Sequence, residues 1–170
     1  WKGNDSTEPK IFFNDGPKLI SLNAKDGKLN KNFGKNGKVR TGYSKITPII
    51  YNNTLVVASW KKNIEVYDIE TGKLKWKYFF GDKKNERNGG KKYNNNKGGN
   101  PWGGISADIE RGILYITTGN ASKYFDGSKR PGYNKNSSSL LAIDLEEKKE
   151  LWSFQETIHD IWNSDLPGPP

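Results

Sequence analysis

The chain has 170 residues, with 28 Lys+Arg against 19 Asp+Glu, a net charge of +9, and neither Cys nor Met. Hydrophobic residues reach only 32%, yet 6 Trp, 8 Tyr and 7 Phe are too many for a disordered chain. The lack of Cys excludes disulfides, thiolate zinc sites and a Cys nucleophile, and no apolar run approaches the ~20 residues of a membrane-spanning helix.

In chain order, residues 19–23, 54–58, 64–68, 112–117 and 140–144 are short apolar or alternating runs rich in branched and aromatic side chains. Each is bounded by Gly, Asn, Asp or Pro, the pattern of a strand followed by a turn. No segment keeps a helical apolar period over three turns, so the chain is predicted to be all-β. Residues 81–100 are polar, Gly-rich and basic and are expected to form a long surface loop, as are residues 124–139 with Gly127, Arg130-Pro131-Gly132 and Asn134. The basic surplus is mostly Lys set among abundant Asn, while Arg, the residue of bidentate phosphate contacts, is scarce. It reads as a solvated surface, with no nucleic-acid partner expected.

A repeat runs through the strands. Asp68 ends one, Thr71-Gly72 makes a turn, and Trp76 opens the next; Asp144 and Trp152 keep the same spacing without the Gly. Asn23-Ala24-Lys25-Asp26-Gly27 is a third copy without the Trp. Such hairpins expose an apolar face that a neighbouring copy must cover, which is the logic of a β-propeller blade. The length suits about three to three and a half blades, and a ring needs about four to eight. The start at Trp1 and the stop after Pro167-Gly168-Pro169-Pro170 lead to the expectation of an internal fragment of a larger propeller.

Five motifs in order then suggest a family. Asn100-Pro101-Trp102-Gly103-Gly104, Tyr115-Ile116-Thr117-Thr118-Gly119-Asn120, Arg130-Pro131-Gly132, His159-Asp160-Ile161-Trp162 and Asp165-Leu166-Pro167 together resemble the pyrroloquinoline quinone (PQQ)-dependent dehydrogenases. Residues 19–28 and 33–37 look most like the membrane-bound quinoprotein glucose dehydrogenase branch. The resemblance implies an eight-bladed propeller with PQQ near its axis, and a calcium ion that polarises the quinone. It implies oxidation of a sugar or alcohol, electron transfer to a membrane quinone, and a periplasmic location, with any inner-membrane attachment lying outside this chain. A chain of this length by itself is expected to be inactive.

By the same resemblance Trp102 forms the floor under the flat cofactor, a role that suits a large rigid π-face. Asn120 aligns with a calcium ligand, and an amide carbonyl is an ordinary member of an oxygen shell. Taken alone, Thr118-Gly119-Asn120 is a turn with a left-handed Asn. The family's catalytic Asp position holds Asn163, and an amide cannot accept a proton from an alcohol at neutral pH. The catalytic residue is therefore left unassigned, with Asp160 and Asp165 as nearby candidates whose alternatives are turn capping and loop structure. His159 and Arg130 are expected to hold loops, Arg130 through backbone carbonyls. The loop that carries the family's acidic metal ligand is here residues 59–63, without an acid and with Lys61 and Lys62; Glu65 is the nearest carboxylate. These departures motivate an alternative function, a non-catalytic propeller scaffold.

Overall fold

A computed structural model describes residues 1–3, 8–81, 87–88, 91–92, 99–121 and 125–170. Among them every extended element is an antiparallel strand, and a single 3-10 turn at Gly127–Lys129 is the helical content. No helix of the described residues is long and apolar enough to cross a membrane.

Strand β1 (Lys10–Asn23) pairs with β2 (Lys38–Ser44) to make a two-stranded sheet. A four-stranded meander follows: β3 (Ile49–Tyr51), β4 (Thr54–Ser59), β5 (Asn63–Asp68) and β6 (Leu74–Phe79). After the small β7 (Arg87–Asn88) and β8 (Lys91–Lys92) ladder comes a second meander of β9 (Ile105–Asp108), β10 (Ile113–Thr117), β11 (Ser139–Asp144) and β12 (Lys149–Gln155). The three copies of the repeat thus fall one to a sheet. Of the expected loop over 81–100, residues 82–86, 89–90 and 93–98 lie outside the described residues, as does Tyr124 of the second loop.

Burial explains why the middle meander reads as unbroken apolar runs. Every residue of β4 is buried, because the sheet is covered on both faces. Leu55, Val57, Tyr67 and Ile69 share one core with Leu19 and Phe33 from the first unit. Val56, Ile64 and Val66 share the other with Leu114, Ile116, Leu141 and Ile143 from the last. Each of these side chains is worth about 1.5–3 kcal/mol when removed from water, so the two seams hold the sheets together. Trp76 is half-buried against the second seam, as the docking logic requires, whereas Trp152 stacks at 6.1 Å on Tyr115 of its own sheet and stays 46% exposed.

The repeated turn shares a left-handed residue in all three copies and an Asp cap in two. Asp68 Oδ1 accepts from the Thr71 amide at 2.9 Å and from its hydroxyl at 2.7 Å, and Asp144 Oδ1 accepts from the amides of Glu146 and Glu147. The residue four places after each anchor is left-handed: Gly27 at φ 70°, Gly72 at 70° and Lys148 at 57°. Gly72 also leaves the room that Phe33 and Val39 of the preceding unit fill.

Candidate functional site

The strands are antiparallel, so their connections collect at two ends. The repeated turns occupy one end. At the other, residues that follow β2, β4, β10 and β12 or precede β9 enclose a cavity of about 340 Å³. Its lining is Lys45, Trp60, Asn100, Trp102, Gly119, Asn120, Asn163 and Asp165. Four residues singled out from sequence therefore stand together: Trp102, Asn120, Asn163 and Asp165. Asp160 is outside the lining.

Glycines bring these segments into contact. A Cβ on Gly103 would stand 2.5 Å from the Leu166 carbonyl oxygen, and one on Gly104, at φ 124°, would meet Pro169 at 2.8 Å. Thr117 Oγ1 donates to the Gly168 carbonyl at 2.7 Å, closing residues 165–169 onto the end of β10. A Cβ on Gly119 would run into Asp165 Oδ1 and stand 2.5 Å from Trp102 Nε1. The indole and the carboxylate share the space that Gly119 leaves open.

The two candidate acids differ in what surrounds them. Asp160 is 1% exposed and its carboxylate accepts from the amides of Trp162 and Ser164 and from Ser138 Oγ. Its carbonyl takes the Asn120 amide at 3.0 Å and one Arg130 nitrogen. Asp160 is thus a buried knot that ties residues 160–164 to the floor of the site. Asp165 accepts the Asn120 backbone N–H at 2.5 Å through Oδ1, and its Oδ2 has no hydrogen-bond partner among the described residues.

Arg130 is buried and also donates to Asn134 Oδ1 at 3.0 Å, so it holds its loop through a backbone carbonyl and a side-chain amide. His159 Nδ1 donates to the Gly132 carbonyl at 2.9 Å, which fastens the same loop. Asn120 is 4% exposed, and its Oδ1 accepts the Ala121 amide at 2.7 Å.

Glu65 does not reach the cavity lining. It is 3% exposed, accepts from the Gly42 amide at 3.0 Å and Tyr67 hydroxyl at 2.6 Å, and pairs with Lys77 at 3.2 Å. Burial pushes its carboxyl up, but these three partners together outweigh that and hold it below the ordinary carboxylate range. Tyr67 is pushed up by burial and by the same carboxylate. Lys62 is 7% exposed, and burial lowers its ammonium to about 8.

Three lining residues were given no role from the sequence: Lys45, Trp60 and Asn100, the last although it opens the Asn100-Pro101-Trp102 motif. Trp60 meets Tyr43 edge-on at 4.9 Å, and the Lys45 ammonium stands 5.6 Å from the Trp60 ring. Trp60 Nε1, Asn100 Oδ1 and Asn163 Oδ1 are buried polar atoms without a hydrogen-bond partner. Such atoms are costly unless something supplies the missing bonds, and three around one cavity fit a polar ligand. Among the described residues no group of three or more His, Asp and Glu side chains could hold a metal ion, so any cation here would rely on amide oxygens and one carboxylate.

The PQQ: Glucose/ethanol/alcohol dehydrogenase, β-propeller domain model matches residues 1–170. Quinoprotein glucose dehydrogenase A of Acinetobacter calcoaceticus is 31% identical over 95% of this chain and 23% of its own length. The glycerol dehydrogenase large subunit of Gluconobacter thailandicus is 29% identical over 89% of this chain and 25% of its own. The chain thus spans about a quarter of these curated relatives. Among solved structures, quinohemoprotein alcohol dehydrogenase from Comamonas testosteroni superposes with a TM-score of 0.71 at 21% identity, over 94% of this chain and 28% of the other. A europium-containing methanol dehydrogenase gives 0.71 at 20% identity, over 94% and 32%. These two likenesses show the propeller fold. With the family model matched from end to end, the chain belongs to the PQQ-dependent glucose/ethanol/alcohol dehydrogenase β-propeller family.

Proposed function

We propose that this chain forms part of a periplasmic quinoprotein dehydrogenase that oxidises a sugar or alcohol and passes the electrons to a membrane quinone. The observation that carries the reading is the single cavity that gathers Trp102, Asn120, Asn163 and Asp165 beside three unsatisfied polar atoms. A planar tricarboxylate quinone suits that lining. Trp102 offers it a rigid π-face, and the Trp60 indole N–H and the Lys45 ammonium offer donors of the right polarity for acidic oxygens. Bound there, PQQ would supply the two-electron oxidising capacity that no side chain has.

The protein's own part is to hold and orient. The side-chain oxygens of Asn120 and Asn163 are neutral oxygens of the kind calcium accepts, and that of Asn163 has no hydrogen-bond partner. The buried Asp160–Arg130–Asn120 knot fixes the floor, so that little reorganisation remains when a ligand enters. The rest of any oxygen shell would come from the cofactor and from parts of the protein outside these 170 residues.

The test is PQQ binding by the full-length protein with and without calcium, followed by Trp fluorescence quenching. Calcium-dependent quenching that is lost in both Trp102→Ala and Asn120→Ala is the expected result. Absence of binding in either condition would favour the scaffold alternative, for which Asn163 and the acid-free 59–63 loop are the motivation. The isolated 170-residue chain is expected to show no turnover.

A further inference from the structure

Resting on the quinoprotein reading above and deepening it, we propose that the Lys45–Trp60 corner of the cavity is a preset subsite for one carboxylate group of its ligand, held in place by Asn14 of β1. Lys45 is the one cation among the lining residues, and its ammonium stands 5.6 Å from the Trp60 ring. Among the described residues no acid forms an ion pair with it. Trp60 Nε1 is a buried donor without an acceptor. An indole N–H can only donate, so the missing partner has to be a ligand's acceptor atom. An ammonium and an indole N–H on one wall are the donor pair that the two oxygens of a carboxylate accept. The cavity's one carboxylate, Asp165, is held elsewhere, on the backbone N–H of Asn120 after β10. A ligand carboxylate is repelled from that wall and drawn to the Lys45 corner.

The corner is built before any ligand arrives. Lys45 itself is exposed, but Ser44 before it is fully buried and Ile46 after it is 9% exposed. Asn14 Nδ2 donates to the Ile46 carbonyl at 2.6 Å and to Ser44 Oγ at 3.3 Å, so one amide grips the chain on both sides of Lys45. Its own Oδ1 is buried without a partner, so every hydrogen bond of that amide goes to this segment. Trp60 is fastened to the same stretch: its backbone N–H donates to the Tyr43 carbonyl at 2.7 Å, and the two rings meet at 4.9 Å. Two glycines permit the approach. A Cβ on Gly42 would stand 2.4 Å from Ser59 Oγ, and one on Gly16 would stand 3.3 Å from the Tyr43 ring. Asn14 and Gly16 thus act from the β1 end where the register shifts, and the residues after β2 and β4 present an ammonium and an indole N–H together. Donors held this way need little further ordering when an anion binds. Asn14 touches no ligand in this account and is a positioning residue.

The experiment uses the full-length protein as wild type, Lys45→Met and Lys45→Arg; the exposed position leaves all three folded. In one arm, PQQ and its uncharged trimethyl ester are titrated and read by Trp fluorescence quenching. If the cofactor supplies the carboxylate, Lys45→Met binds PQQ at least about tenfold more weakly and the ester equally well, while Lys45→Arg stays within about threefold of wild type. The salt dependence of PQQ binding flattens in Lys45→Met alone. In the other arm, D-gluconate and D-glucose are titrated into the PQQ-loaded protein and read by calorimetry. If an acidic substrate supplies the carboxylate, gluconate weakens at least about tenfold in Lys45→Met, whereas glucose and PQQ do not change. Either pattern supports the subsite and names its source. No acid-selective loss in either arm overturns the proposal and leaves the quinoprotein reading standing. A wild type that binds no PQQ sinks that reading, and gluconate titrated into the PQQ-free protein then decides the subsite alone: binding that Lys45→Met loses keeps it, and no binding overturns it. For Asn14, the acid ligand is expected to bind about threefold or more weakly to Asn14→Ala, with no further loss when Asn14→Ala is added to Lys45→Met. An equal loss in both backgrounds overturns the positioning role.

Discussion

The two ends of the sheets are built on different principles. At the turn end, the bonds that shape each turn are local: Asp68 bonds to Thr71 and Asp144 to Glu146 and Glu147, and a left-handed residue reverses the chain, while bonds such as Tyr51 to Glu146 join neighbouring turns. At the cavity end the connections are long-range. Asn120 bonds across to Asp160 and Asp165, Thr117 to Gly168, and Asn136 to Phe80. The turns can repeat because the bonds that shape them need a few neighbouring residues. The cavity end cannot, since the bonds that close it depend on segments from elsewhere in the chain. A scaffold of repeated hairpins therefore leaves one rim free to specialise.

The sharpest way to break this contrast is at Glu65, a buried acid between the first two units. Glu65→Gln keeps the shape but loses the charge that Lys77, Tyr67 and Gly42 serve, and a loss of about 2–4 kcal/mol is expected in denaturant melts. Because the folded carboxyl sits below its ordinary value of 4.5, this stability is present above pH 4.5 and fades as acid protonates the folded form. The gap between wild type and variant should close in acid; a gap that stays constant with pH would refute the charge argument.

Next comes Gly119→Ala, where a methyl must displace the Trp102 indole or the Asp165 carboxylate. We expect about 1–3 kcal/mol of destabilisation and at least about tenfold weaker PQQ binding, read by fluorescence quenching. Unchanged binding would mean that those two groups do not face the ligand.

Lys62→Met tests the effect of burying a cation. With the folded ammonium lowered by burial to about 8 from 10.5, the wild type's stability from this group rises with pH between about 8 and 10.5. The variant lacks the group, so its melting point should not share that rise. The same pH dependence in wild type and variant over this window would contradict the burial account.

The smallest effect belongs to the turn end. Lys148 occupies, at φ 57°, the place that Gly72 holds in the preceding copy. Lys148→Gly should stabilise by about 1 kcal/mol without altering PQQ binding. Should binding change, the two ends would be coupled and the division drawn here would fail.

Much of the fold was legible because strands and turns are short-range. The runs 54–58, 64–68, 112–117 and 140–144 fall in β4, β5, β10 and β11, since branched apolar residues and flanking turns mark them directly. The run 19–23 marks the end of a β1 that starts at Lys10; Gly16 and Pro17 hide the earlier half, where the structure has a register shift between Gly16 and Lys18. Strands β2 and β12 carry exposed or alternating polar residues and gave little signal. In the site, Asn100, Trp102, Asn120, Asn163 and Asp165 were visible as motif residues, whereas Lys45 and Trp60 were given no role, because nothing local distinguishes them from surface or strand-end residues.

The amino-acid sequence by itself determined the all-β class, the blade repeat and the family, all written in neighbouring residues: apolar alternation, Asp-to-Trp spacing and motif order. Only the tertiary structure decided which acid faces the cavity. Asp160 and Asp165 are equivalent as letters in a loop, and they part company because distant groups act on each. Ser138 helps to bury Asp160 in a hydrogen-bonded knot that also binds Asn120 and Arg130, while the Asn120 amide and the space left by Gly119 hold Asp165 at the cavity wall.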